Sequence, residues 1–165
     1  MIKPTKLDAQ VITMINDRIK DEHTAFYFYM QASNWCRDKG FFKASDFFKG
    51  ESDSELTHSK KLQDFLLDWN VIPSLPQLSS PQDFKTLVDI IEKAYGLEYD
   101  LYEKYEDVSM KAFKHPDLCA FNLFQEFVTI QKDSVAEYSD MINTLDGVEL
   151  NKMNLLLLEE NLFGD

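Results

Sequence analysis

The chain has 165 residues, a net charge of -12 and a pI near 4.6, so it lacks the basic face that nucleic-acid binding requires. With 44% hydrophobic and 28% charged residues, it reads as an ordered soluble chain, long enough for one domain with its own core. No apolar run approaches a bilayer span, so no membrane partner is expected.

The start, MIKPTKLDAQ, has no apolar segment of the secretory type, and Cys36 and Cys119 form no CxxC pair. Both points suit a reducing compartment, with the cytoplasm as the expected location and both thiols as small buried side chains. Only 5 Gly and 5 Pro are present, which favours long helices over a turn-rich β fold.

Five helices are predicted in a single domain spanning 1–165. The first runs over about 8–39, stopped at Gly40, and the second over about 43–70. VIPSLPQLSSPQ, residues 71–82, carries three prolines and three serines and reads as an extended crossover. The third helix covers about 82–113. His115-Pro116-Asp117 breaks it and opens the fourth, over about 116–145, with Pro116 at the first turn. Asp146-Gly147 is a turn signal, and a short fifth helix covers about 149–163. At 1.5 Å per residue each long helix reaches roughly 40–48 Å, so the crossover must travel the length of the bundle. Two antiparallel hairpins joined by one long crossover make an all-α four-helix bundle.

Each long helix has an apolar stripe at three- to four-residue spacing, and each stripe is interrupted near its middle by a polar side chain. The first stripe runs Ile19, Glu22, Phe26, Tyr29, and the second Phe48, Glu51, Glu55, His58, Leu62. The third runs Ile91, Ala94, Glu98, Leu101, Tyr105, and the fourth Phe124, Val128, Gln131, Val135, Tyr138. In an antiparallel hairpin, residues at one height lie symmetrically about the turn. Glu22 and Glu55 are symmetric about Lys39-Gly40, and Glu98 and Gln131 about Lys114-His115-Pro116. With the hairpins in register, Glu22, Glu55, His58, Glu98 and Gln131 converge. Three carboxylates buried together cost several kcal/mol each unless they protonate or meet cations. Two divalent ions would offset three negative charges, and carboxylates with one imidazole suit iron, manganese or zinc. The alternative without metal is a buried network of protonated acids hydrogen-bonded to His58 and Gln131.

At these residues the chain resembles the ferritins, specifically the non-haem bacterial type. The resemblance extends over nearly the whole chain. It rests on Glu22 followed by Tyr29 and Ser33-Asn34-Trp35-Cys36, on Glu55-Leu56-Thr57-His58 with Lys61-Leu62, and on Ala120-Phe121-Asn122-Leu123 before Gln131. It implies a ferritin-like four-helix bundle with a long crossover and a short fifth helix. It also implies a ferroxidase that oxidises Fe(II) with dioxygen and stores Fe(III) as a mineral in a homo-oligomeric cage of twenty-four subunits. By the same resemblance, Glu22, Glu55 and His58 hold the first of two irons per subunit, Glu55 bridges, and Glu98 with Gln131 holds the second. Tyr29 is the tyrosine beside the centre that supplies an electron or a hydrogen bond. No haem is expected, and Met14, Met30 and Met141 read as packing.

The chain also departs from the family. Ser54 stands where a second acid often precedes the bridging Glu, and Ile130 and Ser134 replace carboxylates of a third iron site, of which Asp133 alone remains. A third site is therefore expected to be absent or weak. Thr57 and Lys60 weaken the acidic mineral-nucleating face, and Phe121 and Phe124 replace acids of the three-fold entrance. Glu51 reads as a solvated or cavity-facing acid, Tyr102, Tyr105 and Tyr138 as core aromatics, and His23 and His115 as exposed. Two other functions stay open. One is a cage-forming subunit that mineralises weakly. The other is a di-iron oxidase or peroxidase of rubrerythrin type, disfavoured by the missing CxxC pair and the missing second Glu-x-x-His.

Overall fold

The computed structural model describes residues 3–78 and 82–164. Five helices follow in chain order: α1 (Ala9–Lys39), α2 (Phe42–Asp68), α3 (Leu87–Lys114), α4 (Leu118–Leu145) and α5 (Lys152–Phe163). The described residues include no strand. The packing is closest within the hairpins α1–α2 and α3–α4, and α1 meets α3 across the bundle. Residues 71–78 are non-helical, as expected of a crossover, while 79–81 of that predicted segment lie outside the described residues.

Three helices begin later than the sequence pattern predicts, and in each case a side-chain cap sets the start. Residues 82–86 were expected to open α3 but are not helical. Thr86 Oγ1 accepts from Asp89 N at 3.0 Å and Asp89 Oδ2 accepts from Lys85 N at 3.0 Å, a reciprocal cap. Phe84 in this stretch is buried against Phe28, with ring centroids 5.3 Å apart and edge-on. Asp117, not Pro116, starts α4: its Oδ1 accepts from Ala120 N at 2.9 Å, which leaves Pro116 outside the helix. Asn151 starts α5 by accepting from Asn154 N at 3.0 Å.

The helix ends are equally specific. Gly40, at φ 82, lets Phe41 N reach Cys36 O at 2.9 Å and turns the chain sharply into α2. Asn70, at φ 61, does the same after α2, with Asn70 N on Leu67 O and Val71 N on Leu66 O, both at 2.9 Å. The start of α2 has no cap of its own, because Phe41 has no side-chain acceptor. Glu159 of α5 supplies one: its buried Oε1 accepts from Ala44 N at 3.1 Å, and Glu160 pairs with Lys43 at 2.5 Å. The short fifth helix is thereby anchored to the beginning of α2.

The apolar core is in two parts. One holds Phe28, Tyr29, Phe48, Ile90, Ile91 and Tyr138 and extends to Leu155 and Leu162 of α5. The other holds Ile15, Ile19, Leu62, Leu66, Tyr105, Phe124 and Phe127. Between them lies a buried polar layer made of Glu22, Glu55, Glu98 and Gln131. The buried face of α4 keeps Phe124, Gln131 and Tyr138 of its expected stripe but is broader than that stripe. Leu123, Phe127 and Met141 are buried, while Phe121, Val128 and Val135 are only partly so. Cys36 is buried as expected, and burial pushes its thiol up to about 12; Cys119 is exposed, contrary to expectation.

Candidate metal centre

Glu22 lies on α1, Glu55 and His58 on α2, Glu98 on α3 and Gln131 on α4, so every long helix contributes to one level. Positions i and i+3 share a helix face, which brings His58 Nδ1 to 3.2 Å from Glu55 Oε2. The same nitrogen is 3.5 Å from Glu22 Oε2 on the neighbouring helix. Ligand atoms of Glu22, Glu55 and His58 all lie within 4.8 Å of one another, the spacing that one cation could satisfy. Glu98 stands outside that triplet but is electrostatically coupled to Glu22 and Glu55.

Two tyrosine hydroxyls serve the layer. Tyr29 donates to Glu98 Oε1, and Tyr105 donates to Glu22 Oε1; all four side chains are buried. Tyr29 is itself fixed by near-parallel rings, Phe48 at 6.1 Å and Tyr138 at 6.2 Å. Burial, reinforced by Tyr138 and Glu98, pushes its phenol well above the ordinary value, so Tyr29 keeps its proton.

Electrostatics divides the carboxyls. Burial and the adjacent Glu22 push Glu55 well above the usual carboxylate range. Burial also raises Glu98, to about 8, with Glu51 and Glu22 adding repulsion against the bond from Tyr29. For Glu22 burial acts upward as well, but His58, the Glu55 carboxyl and the Tyr105 hydroxyl outweigh it and hold the group below its ordinary value. Burial thus favours the protonated form at Glu55 and Glu98, while its partners favour the ionised form at Glu22.

Several buried atoms of the layer have no hydrogen-bond partner: Glu22 Oε2, Glu98 Oε2, and both Oε1 and Nε2 of Gln131. An orphaned buried polar atom costs about 1–3 kcal/mol, and four in one layer are hard to reconcile with a purely structural network. The Glu22 and Glu55 carboxylates with the His58 imidazole form a donor set that fits Fe(II), Mn(II) or Zn(II).

The surroundings correct some expectations. Tyr105 is a core aromatic as expected, and in addition its hydroxyl bonds Glu22, which the need of a buried tyrosine for a polar partner could have signalled. Tyr138 is buried as expected, and its hydroxyl lies 3.5 Å from Glu51 Oε2. Glu51 is half-buried, and burial with the nearby Glu137 raises it to about 7. Tyr102 is only half-buried. His23 is half-buried rather than exposed, with Nε2 at 3.1 Å from Ser59 Oγ; His115 is exposed. Asp133 is exposed and pairs with Lys132 at 3.0 Å. Ser54, Thr57 and Lys60 are all exposed along α2. Phe124 is wholly buried in the core and Phe121 partly so, the latter against Phe113.

The ferritin family model, described as a ferritin-like domain, matches residues 12–148, which include every residue of the polar layer. This chain belongs to the ferritin family. Among curated relatives, this ferritin is 26% identical over 157 residues to a probable bacterial non-heme ferritin-like protein of Haemophilus influenzae, covering 94% of this chain and 95% of that one. It is also 26% identical over 140 residues to the bacterial non-heme ferritin of Campylobacter jejuni, covering 84% of each. Among solved structures, the open pore ferritin of Archaeoglobus fulgidus superposes with a TM-score of 0.88 at 20% identity, over 94% of this chain and 96% of that one. The fold is thus the ferritin-like bundle, and the relatives are of the non-haem bacterial type. Iron storage is the function that this membership carries.

Proposed function

We propose that this ferritin is a ferroxidase that binds two Fe(II) per chain at the buried layer, oxidises them with dioxygen, and stores the Fe(III) inside a cage of twenty-four chains in the cytoplasm. The reading is supported by one observation above others: ligand atoms of Glu22, Glu55 and His58 lie within 4.8 Å of one another, beside the buried Glu98 carboxyl. In it, Glu22, Glu55 and His58 receive the first iron, with His58 Nδ1 giving up any proton to become a ligand. Glu98 with Gln131 Oε1 receives the second, and Glu55 spans both. Each Fe(II) loses one electron and dioxygen accepts the pair. Iron is substrate and cargo here, and the protein contributes positioning in a dry core. Cation binding competes with protons at Glu55 and Glu98, since burial raises both carboxyls. Tyr29, bonded to Glu98, fixes that carboxylate and stands within reach as an electron donor.

A second reading, a cage-forming subunit that mineralises weakly, is favoured by the exposed run Ser54, Thr57 and Lys60, where Lys60 is engaged with Asp64 and offers no acidic nucleus. Aerobic addition of Fe(II) to the metal-free protein separates the two readings. Fast oxidation of about two Fe(II) per chain followed by growth of a ferric core supports the first. A stable cage without oxidation supports the second. A monomer that binds no iron overturns both.

A further inference from the structure

We infer that Tyr105 is a positioning residue of the metal centre, which reserves one oxygen of Glu22 so that this carboxylate meets a cation through its other oxygen alone. The inference rests on the metal-centre reading above and adds a residue to it. The two outer carboxylates of the layer are treated alike by the fold. On Glu98, Oε1 accepts from Tyr29 and Oε2 has no hydrogen-bond partner. On Glu22, Oε1 accepts from Tyr105 and Oε2 has no hydrogen-bond partner. His58 Nδ1 lies 3.5 Å from that second Glu22 oxygen, and Glu55 completes the triplet. On Glu22 the phenol therefore sits on the oxygen opposite the one that faces His58.

Tyr105 is held as firmly as a positioning residue needs to be. It is wholly buried, and its ring stacks on Phe127 at 4.7 Å with planes 9° apart. Phe127 meets the His58 ring edge-on at 5.7 Å, so one stack sets both Glu22 and His58. The Arg18 guanidinium lies 5.9 Å from the Tyr105 centroid. Arg18 is in turn fixed by Asp21 at 2.6 Å and by the Lys104 carbonyl at 3.3 Å. The brace thus runs from a partly exposed ion-pair network between α1 and α3 into the centre. A tyrosine present only to fill space would need some acceptor, but nothing would require that acceptor to be a carboxylate whose second oxygen faces the His58 imidazole.

The test uses Zn(II), which binds without redox chemistry, on the full-length protein and on Tyr105→Phe and Tyr29→Phe, each of which keeps its ring and stacking. Calorimetric titration of the wild type should resolve two sites per chain, and His58→Ala identifies the one formed by Glu22, Glu55 and His58. Tyr105→Phe should weaken that site about tenfold or more and spare the other, as expected of a lost outer-shell partner; Tyr29→Phe should do the reverse. The infrared difference spectrum between metal-free and Zn(II)-loaded protein supplies a readout that packing alone does not move. Freed of its phenol, Glu22 can chelate through both oxygens, so the separation between its antisymmetric and symmetric carboxylate stretches should narrow in Tyr105→Phe. An unchanged site affinity and an unchanged carboxylate splitting overturn the inference. So does a uniform weakening of both sites with a lowered Tm, which marks a role in packing. Failure of the wild type to bind Zn(II) would instead overturn the metal-centre reading itself.

Discussion

Glu55 and His58 lie one helical turn apart with Oε2 and Nδ1 at 3.2 Å, and the Glu22 carboxylate from the neighbouring helix reaches the same nitrogen at 3.5 Å. A histidine so placed closes a cluster that two helices must build together. Glu55 carries the heavier load, being crowded by Glu22, Glu98 and Glu51 at once. Glu55→Ala should abolish the fast phase of Fe(II) oxidation in stopped-flow absorbance. The metal-free variant should lose little stability or gain some, because a crowded buried acid is removed, and the melting curve reads this directly. A persisting fast phase would show that Glu55 does not bridge.

The metal-free protein should become less stable as pH rises. Glu98 and Glu51 titrate at about 8 and about 7 in the folded chain against 4.5 as the reference. Between the reference and the folded values the native state therefore binds more protons than the unfolded one, and stability falls with pH across that window. Glu22 acts oppositely, its benefit being lost only as pH falls below the ordinary carboxylate range. Thermal unfolding at pH 5.5 and 8.5, reference conditions on either side of these transitions, should give the higher Tm at the lower pH. Saturating Zn(II) should flatten or reverse the difference, since bound cation replaces the protons.

Removal of the Glu159 carboxyl should loosen α5 without touching the centre. Ala44 N has this side chain as its cap, and Phe41 offers none. Glu159→Ala should cost about 1 kcal/mol, the usual value of a lost cap, and speed hydrogen exchange at Ala44. Iron oxidation should be unchanged; a slowed fast phase would indicate that α5 also tensions the centre.

At Gly40 the cost of a side chain would be conformational. A Cβ there would come no closer than 3.9 Å to a neighbour, Lys152 Nζ, but the backbone sits at φ 82. Gly40→Ala should therefore destabilise by about 1 kcal/mol, without the larger loss that a clash would bring. Denaturant unfolding with an unchanged slope would match this account.

Much of this was legible in the sequence because helical periodicity and turn symmetry are geometric. The mid-stripe positions of Glu22, Glu55 and His58 pointed to the triplet that they form, and Glu98 and Gln131 are buried as their stripes implied. The helix starts at Leu87, Leu118 and Lys152 were missed because the breaker residues stood out more than the caps Thr86, Asp117 and Asn151. The inner face of α4 is broader than the predicted stripe, and Phe127 was missed for that reason. The hydroxyl partners of Tyr29, Tyr105 and Tyr138 depend on how facing helices rotate against one another, which spacing along one chain does not encode.

Glu22 and Glu55 are separated along the chain by as many residues as Glu98 and Gln131, and each interval contains its own tight turn. An insertion of one residue inside either interval would swing a ligand through more than a quarter of a helical circumference, away from the centre. Insertions in the non-helical stretch 71–78 would leave both intervals intact. In a library of random insertions selected for iron retention, survivors should accumulate in that connection and be depleted from both hairpins. Mutational tolerance in this chain is thus expected to be partitioned by ruler length as well as by burial.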